Sequence, residues 1–379
     1  MEDLRVYAVL AGWMIGWWLL WRVRRLTAPD LSGASAGDDL RSLVARCTVV
    51  IPARDEAGSI GCLLESLGRQ TMRPGRIIVV DDQSTDDTAA LARDYDGVTV
   101  LAGEPLPAGW IGKSWACHQA TTIAPGGLFV FLDADVVLEP GALAALVAEH
   151  ARAGGLLSVQ PYHRAERTYE RLSALFNIIG FMGIGAASPG RDGRSRGAFG
   201  PCLVTDGTAY EHIGGHGAVH GEIVEDIALA RAYEQAGEPV RTLGGGTLLS
   251  FRMYPGGVGS LIEGWSKNMA VGAGSTRPAR LALIGFWVTC CLLTVQFMIE
   301  EVFGRIDVGR PTIVLLAALF EVQWATMLRQ LGNFGWRTAL LYPLPLGVFV
   351  VVFARSAYLT LVRRRVQWRG RTVPVSRWP

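Results

Sequence analysis

The residues most able to do chemistry in this sequence are carboxylates gathered at three points. Asp81 and Asp82 follow one apolar run, Asp133 and Asp135 follow another, and an acidic pair opens segment 225–236, whose composition predicts a helix. Hard divalent cations prefer oxygen ligands, and carboxylates also exchange protons with substrates. These residues are therefore candidates for holding Mn²⁺ or Mg²⁺ and for acid–base work.

A second feature is the lack of a glycine-rich loop for binding phosphates. Segment 109–114 reads GWIGKS, which has the spacing of neither the dinucleotide-binding motif nor the P-loop. Any bound phosphate would then have to be neutralised by a metal ion on carboxylates. Lys113 and Lys267 are the only lysines in the sequence. Because an ammonium is a compact point charge and a guanidinium is not, both are candidate functional residues.

Alternating strand and helix patterns predict the scaffold that would position these residues. They indicate an α/β fold with a mostly parallel sheet and helices on both faces. In such sheets ligands bind beyond the carboxyl ends of the strands, which is where segments 52–56, 81–84 and 133–135 stand. The predicted strands are 47–51, 76–80, 98–101 and 128–132, and the predicted helices are 59–70, 85–95, 114–123 and 140–153.

The composition indicates a membrane protein. Half of the 379 residues are hydrophobic, and the mean hydropathy is +0.27. The net charge of +2 gives no support to nucleic-acid binding. Six cysteines lack zinc spacing, so we expect buried free thiols. His212, His216 and His220 are spaced by four, but the glycines around them disfavour a helix, and we expect a mobile loop rather than a zinc site.

Four apolar segments are candidate membrane spans, at 4–21, 281–299, 312–328 and 339–362. Three arginines follow the first segment, which predicts an uncleaved anchor and a cytoplasmic location for the chain after it. Three further full spans would place the basic tail outside, against the positive-inside rule. One of the last two segments is therefore expected to be re-entrant or interfacial, and the sequence does not choose between them.

The predicted organisation has five parts. They are a membrane anchor (1–25), a linker (26–46), a catalytic domain (47–275), a transmembrane region (276–365) and a basic cytoplasmic tail (366–379). The predicted location is the inner (plasma) membrane, with several spans and the catalytic domain in the cytoplasm.

With these motifs the chain resembles a family-two glycosyltransferase of the GT-A fold. Segment 52–56 matches the family's opening motif, 81–86 its DDxSxD motif, and 133–135 its DxD metal motif. Glu225 and Asp226 match the acidic pair that supplies the base. The motifs occur in the family's order, and the first three follow predicted strands.

Within that family the chain is similar to the diaponeurosporenoate glycosyltransferase-like and hopanoid-associated group, which glycosylates apolar terpenoid lipids. The QxxRW motif of processive relatives is absent, and segment 264–268 stands where it would be, which argues against a polymerising enzyme. The segments that carry this similarity are 109–113, 224–227, 229–230, 252–254 and 368–371.

The resemblance implies inverting, metal-dependent transfer of a sugar from a nucleotide-sugar, expected to be a UDP-sugar, to a lipid such as a carotenoid. Asp135 would bind Mn²⁺ or Mg²⁺ with Asp133 beside it, and Asp226 would be the general base next to Glu225. The expected nucleotide-sugar-binding residues are Pro52, Ala53, Arg54, Glu56, Asp81, Asp82, Lys113, Asp133 and Ala134. Trp110, Arg252, Trp265 and Lys267 are expected on the acceptor or donor side.

Segment 172–188 is apolar but cannot be a span, because it would separate the metal motif from Asp226 across the bilayer. It is expected either to form a lipid-facing acceptor entrance with 254–273 or to be a buried core helix. The expected partners are the nucleotide-sugar, the lipid acceptor and the bilayer, with no nucleic acid.

Three other functions stay open. A polyprenyl-phosphate sugar transferase would need an acceptor-side basic cluster, which Arg191, Arg194 and Arg196 make available. A non-catalytic membrane scaffold that binds nucleotide-sugars would be favoured by loss of a metal or base carboxylate, and none is lost. A transporter is disfavoured because the motif-rich region is soluble.

Overall fold

The structure, a computed structural model, describes residues 2–30, 34–124, 126–305, 308–363, 365–368 and 371–374. The chain forms two compact units. The sheet unit contains Arg24–Tyr162 and Gly193–Arg252, and the helical unit contains Met1–Val23, His163–Asp192 and Met253–Pro379.

Strands and helices alternate through the first half of the chain, and helices dominate its last third. The strands are β1 (Cys47–Ala53), β2 (Arg76–Asp81), β3 (Val98–Ala102), β4 (Leu128–Leu132), β5 (Val136–Leu138), β6 (Leu156–Gln160), β7 (Tyr162–His163), β8 (Cys202–Asp206), β9 (Val240–Gly244), β10 (Leu249–Phe251), β11 (Arg365–Trp368) and β12 (Arg371–Pro374). The helices are α1 (Glu2–Leu19), α2 (Ala34–Ala45), α3 (Ile60–Gly68), α4 (Thr88–Arg93), α5 (Gly112–Ile123), α6 (Ala142–Ala153), α7 (Ala174–Ile184), α8 (Gly207–His212), α9 (Gly215–Ala218), α10 (Glu225–Gln235), α11 (Val258–Ser275), α12 (Pro278–Val302), α13 (Arg310–Leu331), α14 (Trp336–Leu340) and α15 (Pro343–Tyr358). A 3₁₀-helix covers Thr168–Ser173, and a π-helical turn covers Leu359–Arg363.

The main sheet of the sheet unit has the strand order β3-β2-β1-β4-β8-β6-β9. β1 pairs in parallel with β2 and β4, β2 with β3, and β6 with β9, whereas β8 is antiparallel to β4 and β6. Ala53 is in register with Asp81, and Asp81 with Ala102. The first three strands therefore end at one edge, and the predicted mostly parallel sheet is confirmed.

Helices cover both faces of this sheet. Successive side chains of a strand point to opposite faces, so neighbouring residues of β1 pack against different helices. Val49 and Ile51 of β1 belong to the hydrophobic cluster that includes residues of α2, α3 and α6. Val50 between them belongs to the cluster that includes residues of α5, α8 and α10. Each fully buried aliphatic side chain of this size stabilises the fold by about 1.5–3 kcal/mol.

Part of the predicted linker 26–46 is helical, which corrects that prediction. Leu40 and Val44 of α2 are buried in the same cluster as Val49. The small polar residues of this segment suggested a flexible connection, but the two apolar side chains one helical turn apart give α2 a face to bury.

The predicted helix 85–95 is also shorter, since α4 begins only at Thr88. The residues before it bond to the loop after β1 instead. Asp55 Oδ1 accepts from the Thr85 amide at 2.7 Å, and Asp86 Oδ2 accepts from the Ala57 amide at 3.1 Å. Hydrogen bonds of Asp and Ser side chains to nearby backbone compete with helix formation in this way.

Among the described residues of the helical unit, three helical segments are long and apolar enough to cross a bilayer. They are Pro278–Val302, Arg310–Leu331 and Pro343–Arg363, and the apolar stretch Leu4–Leu19 is shorter. Length and apolar composition of this kind are typical of membrane helices. The predicted transmembrane helices at both ends of the chain are thus present as helices.

Polar contacts fix how α1, α12 and α13 pack. Gln323 of α13 donates to the Trp13 carbonyl at 2.7 Å and accepts from Trp287 Nε1 at 2.9 Å, so one amide joins all three helices. Arg5 near the start of α1 pairs with Glu300 near the end of α12. Hence α12 runs antiparallel to α1.

α13 runs in the same direction as α1. Trp13 Nε1 donates to the Leu319 carbonyl at 3.0 Å, and farther along both helices the Val23 amide donates to Gln330 Oε1 at 2.8 Å. The ends of α1 and α13 and the start of α12 therefore lie at one end of this three-helix packing, a conclusion that Arg280 Nη2 supports by donating to the Leu19 carbonyl.

The last helices turn back along the helical unit. Tyr342, just before α15, packs against Trp324 near the middle of α13, with ring centroids 5.4 Å apart and the rings tilted by 40°. Farther along α15, Ser356 Oγ donates to the Ser266 carbonyl of α11 at 2.6 Å and accepts from the Ala270 amide at 3.0 Å. α15 therefore begins beside the middle of α13 and ends against α11.

The apolar segment 172–188 forms the short helix α7, which is almost entirely buried. Phe176 and Phe181 expose 1% and 2% of their surface. Phe176 stacks face to face on Trp265, with ring centroids 4.8 Å apart. The burial of these two phenylalanines supports the alternative that segment 172–188 is a buried core helix, because neither side chain has exposed surface with which to contact lipid.

Candidate functional site

The site begins where β1 and β2 end side by side. The Asp82 amide donates to the Ala53 carbonyl at 2.8 Å, which ties the two loops together. Arg54 Nη1 donates to the Asp82 carbonyl at 2.9 Å and lies 4.0 Å from the Asp82 carboxylate. The predicted residues Ala53, Arg54 and Asp82 are thus in direct contact, and Pro52 is in register with Val80 within the sheet.

Glu56 is held in this loop by one hydrogen bond of its backbone and one of its side chain. Its amide donates to Thr88 Oγ1 at 2.8 Å, and its carboxylate accepts from Ser59 Oγ at 2.7 Å. Asp55 adopts a left-handed backbone conformation with φ of 51°, which is uncommon outside glycine and tolerated best by Asp and Asn. The hydrogen bonds between the two loops stabilise this turn.

Asp81 has a carboxylate oxygen available to a ligand. Its Oδ1 is buried and has no hydrogen-bond partner among the described residues. A buried polar atom without a partner costs about 1–3 kcal/mol, so a ligand N–H that reached this oxygen would gain that much stability. The Asp81 backbone is fixed by the Gly103 amide, which donates to its carbonyl at 2.9 Å.

Lys113 is the cation at the centre of the site. It lies in the first turn of α5, and its Nζ contacts Asp133 Oδ1 at 2.6 Å and Glu225 Oε1 at 3.2 Å. Nζ also donates to the Gly200 carbonyl at 3.3 Å. The neighbouring carboxylates outweigh burial and hold the pKa of Lys113 well above its usual value. Residues from three distant parts of the sequence therefore meet at one ammonium.

Asp133 and Asp135 lie between β4 and β5. The Asp133 amide donates to the Pro201 carbonyl at 2.9 Å, which fixes the turn that also contains the buried Ala134. Burial, and after it the charges of Asp133 and Glu56, raise the pKa of Asp135 to about 8. A divalent cation beside these oxygens would favour the ionised carboxylate, so the donor chemistry fits Mn²⁺ or Mg²⁺.

The protein alone provides few ligands for such an ion. Among the described residues no group of three or more His, Cys, Asp and Glu side chains has the arrangement of a metal site. Asp135, with Asp133, would therefore hold the ion together with ligands from elsewhere. Magnesium is commonly bound in this way, through one or two carboxylates plus substrate phosphates.

Asp226 lies at the start of α10, and both of its carboxylate oxygens accept backbone hydrogen bonds. Oδ2 accepts from the Gly200 amide at 2.7 Å, and Oδ1 from the Ile227 amide at 2.8 Å. Burial, followed by the charge of Glu225, raises the pKa of Asp226 to about 7. A carboxylate with this pKa is well suited to accept a proton near neutral pH.

Gly200 is a site residue that the sequence analysis missed. Its amide bonds to Asp226 and its carbonyl to Lys113. A Cβ at this position would lie 2.8 Å from Lys113 Nζ. A larger residue here would displace the Lys113 ammonium, so glycine keeps Asp226 and Lys113 close to the same peptide. A single glycine before a strand gave no signal of this.

Trp110 lies at the centre of a partly exposed group of aromatic and imidazole rings beside α5. Its ring centroid is 4.9 Å from Trp115, 5.0 Å from His118 and 5.1 Å from His220. The backbone of this loop is fixed by the Ile111 amide, which donates to the His220 carbonyl at 2.8 Å. Trp115 and His118 were not predicted, although helical spacing places both near Trp110.

The three histidines 212, 216 and 220 have different surroundings. His216 is buried and pairs through Nδ1 with the Tyr210 hydroxyl at 2.7 Å, and burial lowers its pKa to about 4. His212 is exposed. His220 Nδ1 lies 2.8 Å from the Gly217 carbonyl.

The remaining predicted residues are Arg252, Trp265 and Lys267. Arg252 directly follows β10 in the sheet unit. Trp265 and Lys267 are on α11 in the helical unit, where Trp265 Nε1 donates to Ser173 Oγ at 3.0 Å. The indole of Trp265 is buried by Phe176 and Tyr254, so within its own unit it packs as a core residue.

Comparison with known proteins adds sequence relatives to this geometry. The family model for glycosyl transferase family 2 matches residues 48–198. A 4,4'-diaponeurosporenoate glycosyltransferase of Staphylococcus aureus (strain MRSA252) is 36% identical over 335 residues, which is 87% of this chain and 88% of that protein. The protein of the same name from strain bovine RF122 / ET3-1 is also 36% identical over 335 residues.

A solved structure also resembles most of the chain. It is the mannosyltransferase PcManGT from Pyrobaculum calidifontis in complex with GDP-Man and Mn²⁺, with a TM-score of 0.52 and 17% identity. The match covers 92% of this chain and 96% of that one. At this identity the likeness concerns the fold alone, and it agrees with the predicted GT-A arrangement.

The sparse metal ligands lead to a prediction about cation binding. Mn²⁺ should bind weakly to the protein alone and at least about tenfold more tightly with a nucleoside diphosphate, because the phosphates complete its coordination. Free Mn²⁺ measured by electron paramagnetic resonance, with and without UDP or GDP, would show this. Asp135→Asn should remove the nucleotide-dependent part, and Asp94→Asn, at an exposed carboxylate, should not. Equal Mn²⁺ affinity with and without nucleotide would contradict the prediction.

Proposed function

The chain belongs to glycosyltransferase family 2, and we propose that it transfers a sugar from a nucleotide-sugar to an apolar terpenoid acceptor of the carotenoid kind, with inversion at the sugar. One observation carries the proposal. The partly buried carboxylate of Asp226 lies beside the peptide that also bonds Lys113, which is paired with Asp133 of the DxD motif. A base and a phosphate-binding cation are therefore neighbours.

The donor is proposed to be bound by the ends of β1, β2 and β4. Asp81 Oδ1, buried and without a partner among the described residues, is suited to accept an N–H of the nucleobase. Arg54 holds the backbone of Asp82 in place. Lys113 would exchange part of its pairing with Asp133 and Glu225 for the donor diphosphate, as a compact point charge can.

The metal is proposed to be held by Asp135, with Asp133 beside it. When bound, Mn²⁺ or Mg²⁺ would stabilise the negative charge that develops on the departing diphosphate. The raised pKa of Asp135 supports this assignment, since burial beside Asp133 and Glu56 leaves its negative charge poorly compensated by the protein. Lys113 contributes positive charge on the other side of Asp133.

Asp226 is proposed to accept the proton of the acceptor hydroxyl or carboxyl group. Two backbone amides orient its carboxylate, and its pKa is raised to about 7. An ordinary carboxyl group has a pKa of about 4.3, so an acceptor carboxyl group that reaches Asp226 in its protonated form would transfer its proton downhill. Attack on the sugar from the face opposite the diphosphate would invert the anomeric centre.

The acceptor class is proposed from the sequence relatives, whose name specifies diaponeurosporenoate, together with the apolar helices of this chain. An acceptor of this kind is dissolved in the bilayer, so a transferase that acts on it benefits from being held at the membrane surface. The rarity of charged residues in the helical unit's spans is consistent with contact to lipid.

The direct test uses membranes that contain the full-length protein, a panel of radiolabelled nucleotide-sugars, Mn²⁺ or Mg²⁺ and a carotenoid acid. Label should enter the organic extract, and Asp226→Asn should lower the rate by about 10²–10⁴-fold, the usual contribution of a general base. Asp135→Ala should also abolish transfer, whereas Asp94→Asn should leave it unchanged. Nucleotide-sugar binding without transfer to lipid would favour the scaffold function instead.

We further propose the inner membrane as the location, with three spans and the sheet unit in the cytoplasm. Arginines 22, 24 and 25 favour a cytoplasmic end for α1. Since α12 is antiparallel to α1 and α13 is parallel to it, α13 would return to the cytoplasmic side. Of the two candidates for a re-entrant segment, the packing favours 339–362.

The reason lies in where α15 begins and ends. Tyr342 packs against Trp324, seven residues before the end of α13, which is about 10 Å along a helix. Ser356 then bonds to α11, whose end leads directly into the start of α12. Segment 332–358 would thus enter the bilayer partway and return, and the basic tail would stay on the side that the positive-inside rule favours.

Cysteine labelling in right-side-out membrane vesicles tests this orientation. With a membrane-impermeant maleimide, Val302→Cys at the exposed end of α12 should react in intact vesicles. Ser376→Cys in the tail should react only after permeabilisation, as should the exposed native Cys62, which serves as the internal control. Labelling of Ser376→Cys in intact vesicles would mean that α15 crosses the bilayer.

A further inference from the structure

A groove runs along the outside of the helical unit, between α1 and α13. Its volume is about 830 Å³, and its lining consists of Trp13, Met14, Trp17, Trp21, Arg22, Thr326 and Gln330. This volume falls within the range of about 300–1,000 Å³ that is usual for small-molecule sites. The groove lies alongside two helices that are proposed to be in the membrane.

One wall of the groove is a row of indole rings. Trp13, Trp17 and Trp21 follow one another at four-residue spacing, so they stand on the same side of this part of the chain. Their ring centroids are 6.2 Å and 6.0 Å apart. Trp13 is fixed by its hydrogen bond to the Leu319 carbonyl. Neighbouring rings meet edge to face, with interplanar angles of 88° and 70°, so the row offers both ring faces and ring edges. Such aromatic groups favour contact with another π system over contact with a saturated chain.

The polar groups of the opposite wall are already bonded within the protein. Thr326 Oγ1 donates to the Val322 carbonyl at 2.8 Å, and Gln330 Oε1 accepts from the Val23 amide at 2.8 Å. Arg22 is different. Its side chain is exposed at the end of the groove, and no described carboxylate pairs with it. The groove thus offers one unpaired cation at one end of an apolar, aromatic wall.

We propose that this groove binds a single conjugated apolar chain that ends in a carboxylate, with the carboxylate at Arg22 and the polyene along the three indoles. This inference rests on the proposed function, since such a chain is the acceptor class proposed above, and it adds a binding site for that acceptor in the helical unit. Guanidinium groups bind carboxylates with two parallel hydrogen bonds, which would fix the polar end of the acceptor.

Other occupants fit this surface less well. A membrane phospholipid has two flexible saturated or lightly unsaturated chains, which gain little from a row of indoles, and its phosphate would compete for the same arginine. A neutral terpenoid alcohol would use the indoles but leave the Arg22 guanidinium without an anion. The combination of one cation and an aromatic wall selects a polyene acid.

Binding of a polyene acid to the groove can be measured without the nucleotide-sugar and without the transfer reaction. The probe is cis-parinaric acid, a fluorescent polyene carboxylic acid, titrated into the purified full-length protein in detergent. Arg22→Gln should weaken its binding about tenfold, the usual effect of losing a hydrogen bond to a charged group. Trp17→Ala should weaken it about fivefold, Trp17→Phe should have a smaller effect, and Arg22→Lys should keep part of the affinity.

Matched controls come from the same unit. Trp336 and Arg337 form an exposed tryptophan–arginine pair outside the groove lining, so Trp336→Ala and Arg337→Gln should bind the probe as the unchanged protein does. Retinol, a polyene alcohol, should bind more weakly than the acid and be insensitive to Arg22→Gln. Unchanged probe affinity in both groove variants, or displacement of the probe by phosphatidylglycerol at lower concentration than by a polyene acid, would overturn the proposal.

The same variants separate this inference from the proposed function. In the transfer assay Arg22→Gln should raise the KM for the lipid acceptor and leave the KM for the nucleotide-sugar unchanged. Transfer with an unaltered acceptor KM would refute the groove as an acceptor site while the proposed function stands. Polyene binding that depends on Arg22, in a protein that transfers no sugar, would support the groove and contradict the proposed function.

Discussion

The site depends on one interaction, the contact of the Lys113 ammonium with the carboxylates of Asp133 and Glu225. Those two residues are 92 positions apart in the sequence, yet both lie within 3.2 Å of Nζ. Without the ammonium, several partly buried negative charges would face each other, and their mutual repulsion would disfavour the ionised carboxylates. With it, Asp133 and Glu225 share one cation, which the proposed donor diphosphate would take over on binding.

The order of the strands and one glycine bring Lys113, Asp133 and Glu225 together. β4 lies between β1 and β8 in the sheet, so the carboxyl end of β4 lies next to the loop that leads into β8. That loop contains Gly200, whose peptide bonds Lys113 on one side and Asp226 on the other. The carboxylate of Asp226 is therefore oriented by the same peptide that contacts the Lys113 ammonium. In the helical unit, Gln323 has a comparable role, because one amide links three helices.

Much of this could be predicted from the sequence because the motifs stand at strand ends. The four strands predicted in residues 47–132 are all present, and carboxylates after parallel strands must gather at one edge. What could not be predicted depends on tertiary contacts. Gly200 matters only because two distant side chains approach it, α2 is helical because Leu40 and Val44 find a core, and Trp265 became a core residue by stacking on Phe176. The proposal that segment 339–362 is re-entrant rests on the contact of Tyr342 with Trp324, which the sequence does not reveal.

The most direct test of this account is the pH dependence of kcat/KM for the nucleotide-sugar, in the unchanged protein and in Lys113→Met. Only the ionised Asp226 can accept a proton, so activity should fall as the pH drops through about 7, the raised pKa of this carboxyl group. Lys113 lowers that pKa by its charge, so the Lys113→Met variant should be less active and its midpoint should move to higher pH. A midpoint near the ordinary carboxyl value, or one that Lys113→Met leaves in place, would contradict the account.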